Sequence, residues 1–320
     1  MKIVTGGAGF IGSRIVSKLN DMGDSDILVV DDLREGIKMR NLANVEIADF
    51  MDADDFLHRL KMGEDFGDIE AVFHMGACSS TTEWDGRYLM RRNYEYSKEL
   101  LHWSARNNSS LIYASSASVY GDGNRGFSED AAAEYPINMY AYSKYQFDQY
   151  VRRFLPKAKA QVVGLRFFNV YGPHEAHKGS MASVAFHANN QINDTGAIRL
   201  FGASGNNAAG EQKRDFVYVD DCADVAAWLF ENPDISGVFN LGTGKAETFN
   251  VLAQSVIDWH GRGVIEYIPF PDHLKNSYQS FTEADLSNLR AAGYTAPFRD
   301  VREGVFAYLN WLNGSAAAAK

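Results

Sequence analysis

The chain predicts an α/β fold built on a parallel, doubly wound sheet. Three observations carry this prediction. Strand-like and helix-like segments alternate through the first half. The first strand-like run leads directly into a glycine-rich turn that opens a helix. Beyond Val170 the alternation becomes irregular without any linker, so the remainder reads as a smaller, discontinuous C-terminal lobe packed on the sheet.

Residues 2–5 form a short apolar strand, and 9–22 a helix with Ile11, Ile15 and Leu19 in one stripe. Strands are expected at 26–30, 69–74, 110–114 and 160–167. Helices are expected at 52–62, 83–105 and 139–154 between them. Further on, 180–193 and 220–231 read as helices and 238–241 as a strand. Residues 202–212 (GASGNNAAGEQ) and 269–279 read as loops, the first of them exposed. Residues 284–292 and 301–312 read as closing helices. The expected organisation is therefore a dinucleotide-binding part over 1–170 and a substrate-binding lobe over 171–313. Residues 314–320 (GSAAAAK) read as an appended tail outside the fold.

A chain of 320 residues buries roughly three quarters of its unfolded surface. The net charge of −10 argues against nucleic acid or an anionic membrane as a partner. No apolar run approaches the ~20 residues of a membrane helix. The first residues lack a secretory signal pattern. Cys78 and Cys222 are the only cysteines. Two thiols fit a reducing cytoplasm better than a disulfide framework. Neither has metal-ligand spacing, so no metal site is expected.

The turn after the first strand reads Gly6-Gly7-Ala8-Gly9-Phe10-Ile11-Gly12. Gly6 permits the tight turn, Gly9 lets backbone approach a pyrophosphate, and Gly12 allows close helix–sheet packing. The helix N-terminus then offers N–H groups and its dipole to the anion. Asp31 and Asp32 end the second strand, where a carboxylate can accept bonds from adenosine ribose hydroxyls. Lys38, with Arg34 and Arg40 nearby, supplies opposing charge. The choice between NAD and NADP stays open on these residues.

Tyr140 and Lys144 are four apart and share a helix face. A phenol titrates near ~10, and a neighbouring ammonium is expected to lower that value. Such a pair can move a proton on and off a carbinol. Ser116, after the 110–114 strand, can bond and orient the reacting oxygen.

With these residues in this order, the chain resembles the extended short-chain dehydrogenases/reductases that act on nucleotide sugars, whose fold is Rossmann-type. More narrowly it is similar to the ADP-L-glycero-D-manno-heptose 6-epimerase family over nearly its full length. The specific segments are ACSSTTEWDG (77–86), FNVYGP (168–173), HKGSMASVAFH (177–187), KRDFVYV (213–219) and FNLGTG (239–244). The resemblance implies inversion at C6'' of ADP-heptose through a transient ketone, with bound NADP removing and returning the hydride. It implies a step in lipopolysaccharide inner-core precursor synthesis and a homo-oligomer, a pentamer by analogy.

One fixed base serves only one orientation of the carbinol oxygen, so a second acid/base is expected. The resemblance assigns that role to Lys178 beside Tyr140, with Lys144 and Lys178 also touching the cofactor. It adds Phe10, Ile11, Val170 and the segment Met75, Gly76, Ala77, Cys78 and Ser79 to the cofactor contacts. Around the sugar it places Ser116, Asn169, Ser180, His187, Phe201, Arg214 and Tyr278. Four departures from the pattern stand out: Asp32 for an asparagine, Ala53 for a lysine, Arg91-Arg92 before Asn93, and a longer 202–212 loop. The rival readings are a UDP-hexose 4-epimerase or dehydratase on the same residues, and a dinucleotide-sensing regulator without catalysis.

Overall fold

The computed structural model describes residues 1–205, 207–271 and 279–318. In chain order its elements are β1 (Lys2–Thr5), α1 (Phe10–Asp21), β2 (Ile27–Asp31), β3 (Asp49–Asp52), α2 (Ala53–Lys61) and β4 (Ala71–His74). There follow α3 (Gly86–Leu89), a π-helical turn (Met90–Glu95), α4 (Tyr96–Arg106), β5 (Ser110–Ser116), α5 (Met139–Phe154) and β6 (Val162–Phe167). The second half holds β7 (Asn169–Tyr171), α6 (Val184–Thr195), β8 (Ala197–Phe201), β9 (Lys213–Tyr218), α7 (Val219–Glu231) and β10 (Gly237–Leu241). It closes with β11 (Ala246–Thr248), α8 (Phe249–His260), β12 (Val264–Ile268), α9 (Ser287–Ala291) and α10 (Val301–Ala318).

Seven strands form one sheet in the order β10-β6-β5-β4-β1-β2-β3, with every neighbouring pair parallel. The central strands β1, β2 and β4 are buried along their whole length. That is why they read as unbroken apolar runs, not as alternation. Helices cover both faces. Ile15, Val16 and Leu19 of α1 and Val225, Ala226 and Leu229 of α7 pack on one face. Phe56 of α2, Leu100 and Leu101 of α4 and Phe147 and Val151 of α5 pack on the other. The expected α/β, Rossmann-type doubly wound sheet is thus the fold observed. The order reverses between β1 and β4, the switch point where such sheets bind ligands beyond the strand C-termini.

Residues past Tyr171 build a second core from α6, β8, β9, α8 and α10. A three-stranded sheet (β11-β9-β7) and a two-stranded one (β12-β8) support it. Several expectations are corrected here. The helix expected from Ser180 starts at Val184, because Ser183 caps it by accepting from the Phe186 N–H. The helix expected at 284–292 shrinks to Ser287–Ala291, since the Ala284 N–H is already bound to Asp215. Strands β3, β7, β8, β9, β11 and β12 and helix α8 were not anticipated. The 202–212 loop is not wholly exposed: Gly210 and Gln212 are buried, tied to Phe201 and to the start of α8. Helix α10 continues to Ala318, into the segment set aside as a tail.

Candidate active site

A cleft of about 900 Å³ opens at the switch point, between the carboxyl ends of the strands and the second lobe. Its floor is the glycine turn. Gly6 sits at φ +66°, and a Cβ there would lie 2.6 Å from the Gly76 nitrogen. A Cβ on Gly12 would run into the Gly6 carbonyl. The turn therefore presses against the end of β4 and the start of α1 with no room for side chains. No side chain caps α1 at Gly9, so the first-turn N–H groups stay open toward the cleft. A bare helix N-terminus above a glycine cradle is what a dinucleotide pyrophosphate requires, and the residues present fit one.

The ends of β2 and α4 build the far end of the cleft. Asp31 accepts from the Ala8 N–H at 2.8 Å and from Lys38 Nζ at 2.6 Å. Asp32 is held by Arg34, which lowers its pKa, and Arg92 stands 3.8 Å away. Arg92 also pairs with Asp54. Tyr88, Arg92 and Tyr96, spaced four apart across the π-turn, all line the cleft. Position 92, one of the departures from the family pattern, thus lines the cleft, and Tyr88 and Tyr96 join it as residues the sequence did not single out.

Helix α5 forms the wall that carries Tyr140 and Lys144. Its N-cap Asn138 accepts from the Ala141 N–H and fixes where the helix begins. Lys144 Nζ donates to the Ala114 carbonyl at 2.7 Å. Burial lowers the Lys144 pKa to about 8, against the opposing charge of Asp148. Tyr140 behaves differently from the sequence expectation. Burial raises its pKa, while a hydrogen bond with Ser116 opposes the rise. The Lys144 ammonium is turned to the Ala114 carbonyl, and desolvation of the phenol dominates. Asn93 clips this helix to the opposite wall: it exchanges two 2.9 Å bonds with the Cys78 backbone. Its amide also donates to Ser143 Oγ at 3.0 Å, and Ser143 donates to the Tyr140 carbonyl.

Lys178 enters from the facing loop, its Nζ 5.1 Å from the centre of the Phe10 ring. Burial lowers its pKa, with Glu175 opposing. Two titratable groups pushed in opposite senses thus share one cleft: Tyr140 toward its acid form, Lys178 toward its base form.

All the residues expected at the cofactor line this cleft: Gly6, Gly9, Phe10, Ile11, Gly12, Asp31, Asp32, Lys38, Met75, Gly76, Ala77, Cys78, Ser79, Lys144, Val170 and Lys178. Ser116, Tyr140 and Asn169 join them. Ser180, His187, Phe201 and Arg214 are not among the lining residues. Ser180 is exposed on the loop after Lys178, and His187 packs edge-on to Phe186 in α6. Phe201 ends β8, 5.2 Å from the Phe270 ring. Arg214 is buried in β9 with its guanidinium 5.7 Å over Phe249, which does line the cleft. Tyr278 lies outside the described residues.

The buried lysine makes stability pH-dependent. The folded pKa of Lys144, about 8, lies below its ordinary 10.5, so between these values the unfolded chain binds more protons. Stability from this group therefore rises with pH across that window. Relative to Lys144→Met, the parent protein should gain stability from pH 8 to 10.5 in denaturant titrations. A constant difference between the two would refute the shift.

The family model described as "NAD dependent epimerase/dehydratase family" matches residues 2–242. Among solved structures, the chain is 27% identical to Helicobacter pylori ADP-L-glycero-D-manno-heptose-6-epimerase, with a TM-score of 0.84 over 98% of this chain and 96% of that one. It is equally similar, at 27% identity and TM-score 0.84, to UDP-N-acetylglucosamine 4-epimerase from Methanobrevibacter ruminantium, covering 98% of each chain. UDP-glucose 4-epimerase from Thermotoga maritima follows at 26% identity and TM-score 0.78, covering 99% of this chain and 100% of that one. With the glycine cradle, the Tyr140–Lys144 helix and this match over most of its length, the chain belongs to the NAD-dependent epimerase/dehydratase family.

Proposed function

We propose that the protein is an NADP-dependent epimerase that inverts C6'' of ADP-D-glycero-D-manno-heptose to the L-glycero form, in lipopolysaccharide inner-core precursor synthesis. The observation that carries this reading is the pairing of Tyr140 with Lys178 in one cleft. An epimerase must move a proton at one oxygen in two orientations, and each orientation needs its own group within hydrogen-bond reach. The glycine turn, Asp31, Lys38, the 75–79 segment, Val170 and Lys144 would hold the dinucleotide, which supplies the hydride acceptor and donor when bound. Arg34, Lys38 and Arg92, paired here with Asp32, Asp31 and Asp54, are the cations that would turn to the additional phosphate of NADP.

The protein's own part is proton transfer and orientation. Ser116 bonds the reacting oxygen and aligns it with Tyr140. Lys178, with its pKa lowered, takes the proton of the carbinol in one orientation. Tyr140, held protonated, delivers one to the carbonyl in the other, and a proton passing from Lys178 back to Tyr140 after product release restores both groups. Arg214, Asn169, Ser180, His187, Phe201 and Tyr278 belong to the same proposal as contacts to the nucleotide sugar. So do a cytoplasmic site of action and a homo-oligomer.

A UDP-sugar 4-epimerase is the second reading, favoured by the equal similarity to the Methanobrevibacter enzyme. The discriminating experiment offers purified protein each ADP-heptose epimer, UDP-glucose and UDP-N-acetylglucosamine. Interconversion of the ADP-heptoses without net NADPH consumption is expected. Turnover of only the UDP-sugars, or an oxidised sugar as the main product, overturns the proposal. Lys178→Met should lose at least ~100-fold in kcat while NADP remains bound, as read by mass spectrometry of released cofactor. Unchanged epimerisation removes Lys178 from the mechanism.

A further inference from the structure

Glu175 is fully buried, yet it lies outside the cleft lining and has no part in the chemistry above. Its carboxylate receives three donors from its own loop, and Tyr308 of α10 bonds it as well. The Gly172 N–H reaches Oε1 at 3.3 Å, the Ser183 N–H reaches Oε2 at 2.5 Å, and the Ser183 hydroxyl reaches Oε1 at 2.6 Å. Both oxygens act only as acceptors, the pattern of an ionised carboxylate. Gly172 follows β7 and Ser183 caps α6, so these are the first and last residues of the loop that carries Lys178. The Lys178 N–H donates to the Glu175 carbonyl at 2.9 Å, and Gly179 at φ +54° turns the chain back beyond it. His174 anchors the ring to the rest of the protein, bonding Ser13 Oγ at 2.8 Å and packing edge-on to Trp311.

We propose that Glu175 is a positioning residue for Lys178: its buried carboxylate ties the two ends of the 172–183 loop into a closed ring and so holds the lysine at the cleft. The inference rests on Lys178 as the second acid/base group. Its charge matters as well as its bonds, because the carboxylate is the one group opposing the burial that lowers the Lys178 pKa. The titratable and charged groups around the pair are few. Tyr308 faces Glu175 from α10. On the loop stand His177, which feels Lys38 and Glu35, and His174, which feels Arg14. Tyr140 and Lys144 line the cleft from α5.

Glu175→Gln keeps the shape but offers one acceptor oxygen to its donors. It should lower kcat by about tenfold or more with KM within about twofold, the signature of a group misplaced in the transition state. In a Lys178→Met background it should add almost nothing, as expected when one residue acts through the other. Proton occupancy is read separately, by pH-dependent amine labelling of Lys178 with mass spectrometry. The labelling midpoint should fall by about half a unit or more in Glu175→Gln. That readout does not depend on activity, so it tests Glu175 even if Lys178→Met leaves epimerisation intact. Should Glu175→Gln fail to fold, Ser183→Ala removes one donor and keeps the carboxylate. It should lower kcat severalfold at constant KM with the labelling midpoint in place. An unshifted midpoint in Glu175→Gln, or in the case of misfolding an unchanged kcat in Ser183→Ala, overturns the proposal.

Discussion

Tyr140→Phe should lower kcat for the sugar substrate by about 10²–10⁴-fold, the usual contribution of a positioned acid/base, with KM within about twofold. The substitution deletes one oxygen from a residue whose ring and backbone are otherwise fixed. The Ser143 hydroxyl holds the Tyr140 carbonyl at 2.7 Å, and the Asn138 cap fixes the helix start. Both survive the change, so the fold and the cofactor should remain. What disappears is the phenol that burial keeps protonated and that Ser116 addresses. Steady-state kinetics with mass spectrometry of released cofactor check this. A kcat within threefold of the parent would remove Tyr140 from the chemistry and leave Lys178 as the sole proton-transfer group.

Arg166→Met should be the most destabilising of the changes considered, at about 3–5 kcal/mol, the cost of orphaning buried charges. Arg166 has no exposed surface. Its Nε donates to Asp148 at 3.0 Å, one terminal nitrogen donates to Tyr120 at 2.8 Å, and the other pairs with Glu134. Methionine fills the space but leaves two carboxylates facing the vacancy. Asp148 retains Tyr113 and Ser115 as donors, and Glu134 retains Arg152. Neither set includes a fully buried cation. At roughly 2–4 °C per kcal/mol for a chain of this size class, the melting temperature should fall by about 10 °C. Asp148 is also the main group raising the Lys144 pKa against burial. Without Arg166 to offset it, that pKa should climb and the alkaline stability window described for Lys144 should narrow. A triple change of Arg166, Asp148 and Glu134 to apolar residues of similar size should cost less than the single one. Calorimetry on the three proteins decides, and a single variant as stable as the parent would refute the argument.

The dinucleotide half was legible because its signals are local. Strands β1, β2, β4 and β6 are mostly apolar runs, and the glycine turn, Asp31, the 75–79 segment and Ser116 lie at or directly after strand ends. The second lobe was less legible because its strands break the alternation rule. In β9, KRDFVY, both Arg214 and Asp215 are buried. Asp215 is satisfied by the Thr243 and Gly244 backbone and by the Ala284 N–H. A strand whose charged residues point inward looks like a surface loop until its partners, up to 69 positions away, are known. The same limit hid Asn93 and Glu175. Each works by joining segments distant in the fold or by closing a loop, and neither has a spacing that announces it. For Tyr140 the spacing to Lys144 was right, yet the inferred effect on the phenol had the wrong sign, because burial outweighs the Ser116 hydrogen bond and the Lys144 ammonium is turned to the Ala114 carbonyl.

Strand β10 leaves the N-terminal sheet's own sequence neighbourhood and returns to it after the chain has built much of the second lobe. It pairs with β6 from Gly237 opposite Val163 to Leu241 opposite Phe167, and α7, just before it, packs on α1 through Arg14 and Asp220 at 2.6 Å. The sheet is therefore finished by residues made last among its strands. A nascent chain with β6 out of the ribosome and β10 still to come carries an open strand edge, Val162–Phe167, with unpaired N–H and C=O groups and an apolar face of Val163, Leu165 and Phe167. Such edges recruit other chains. Pairing over about 70 positions is also slow to form. The segment that completes the fold is thus also the one whose late arrival sets how long the molecule must be kept from its neighbours.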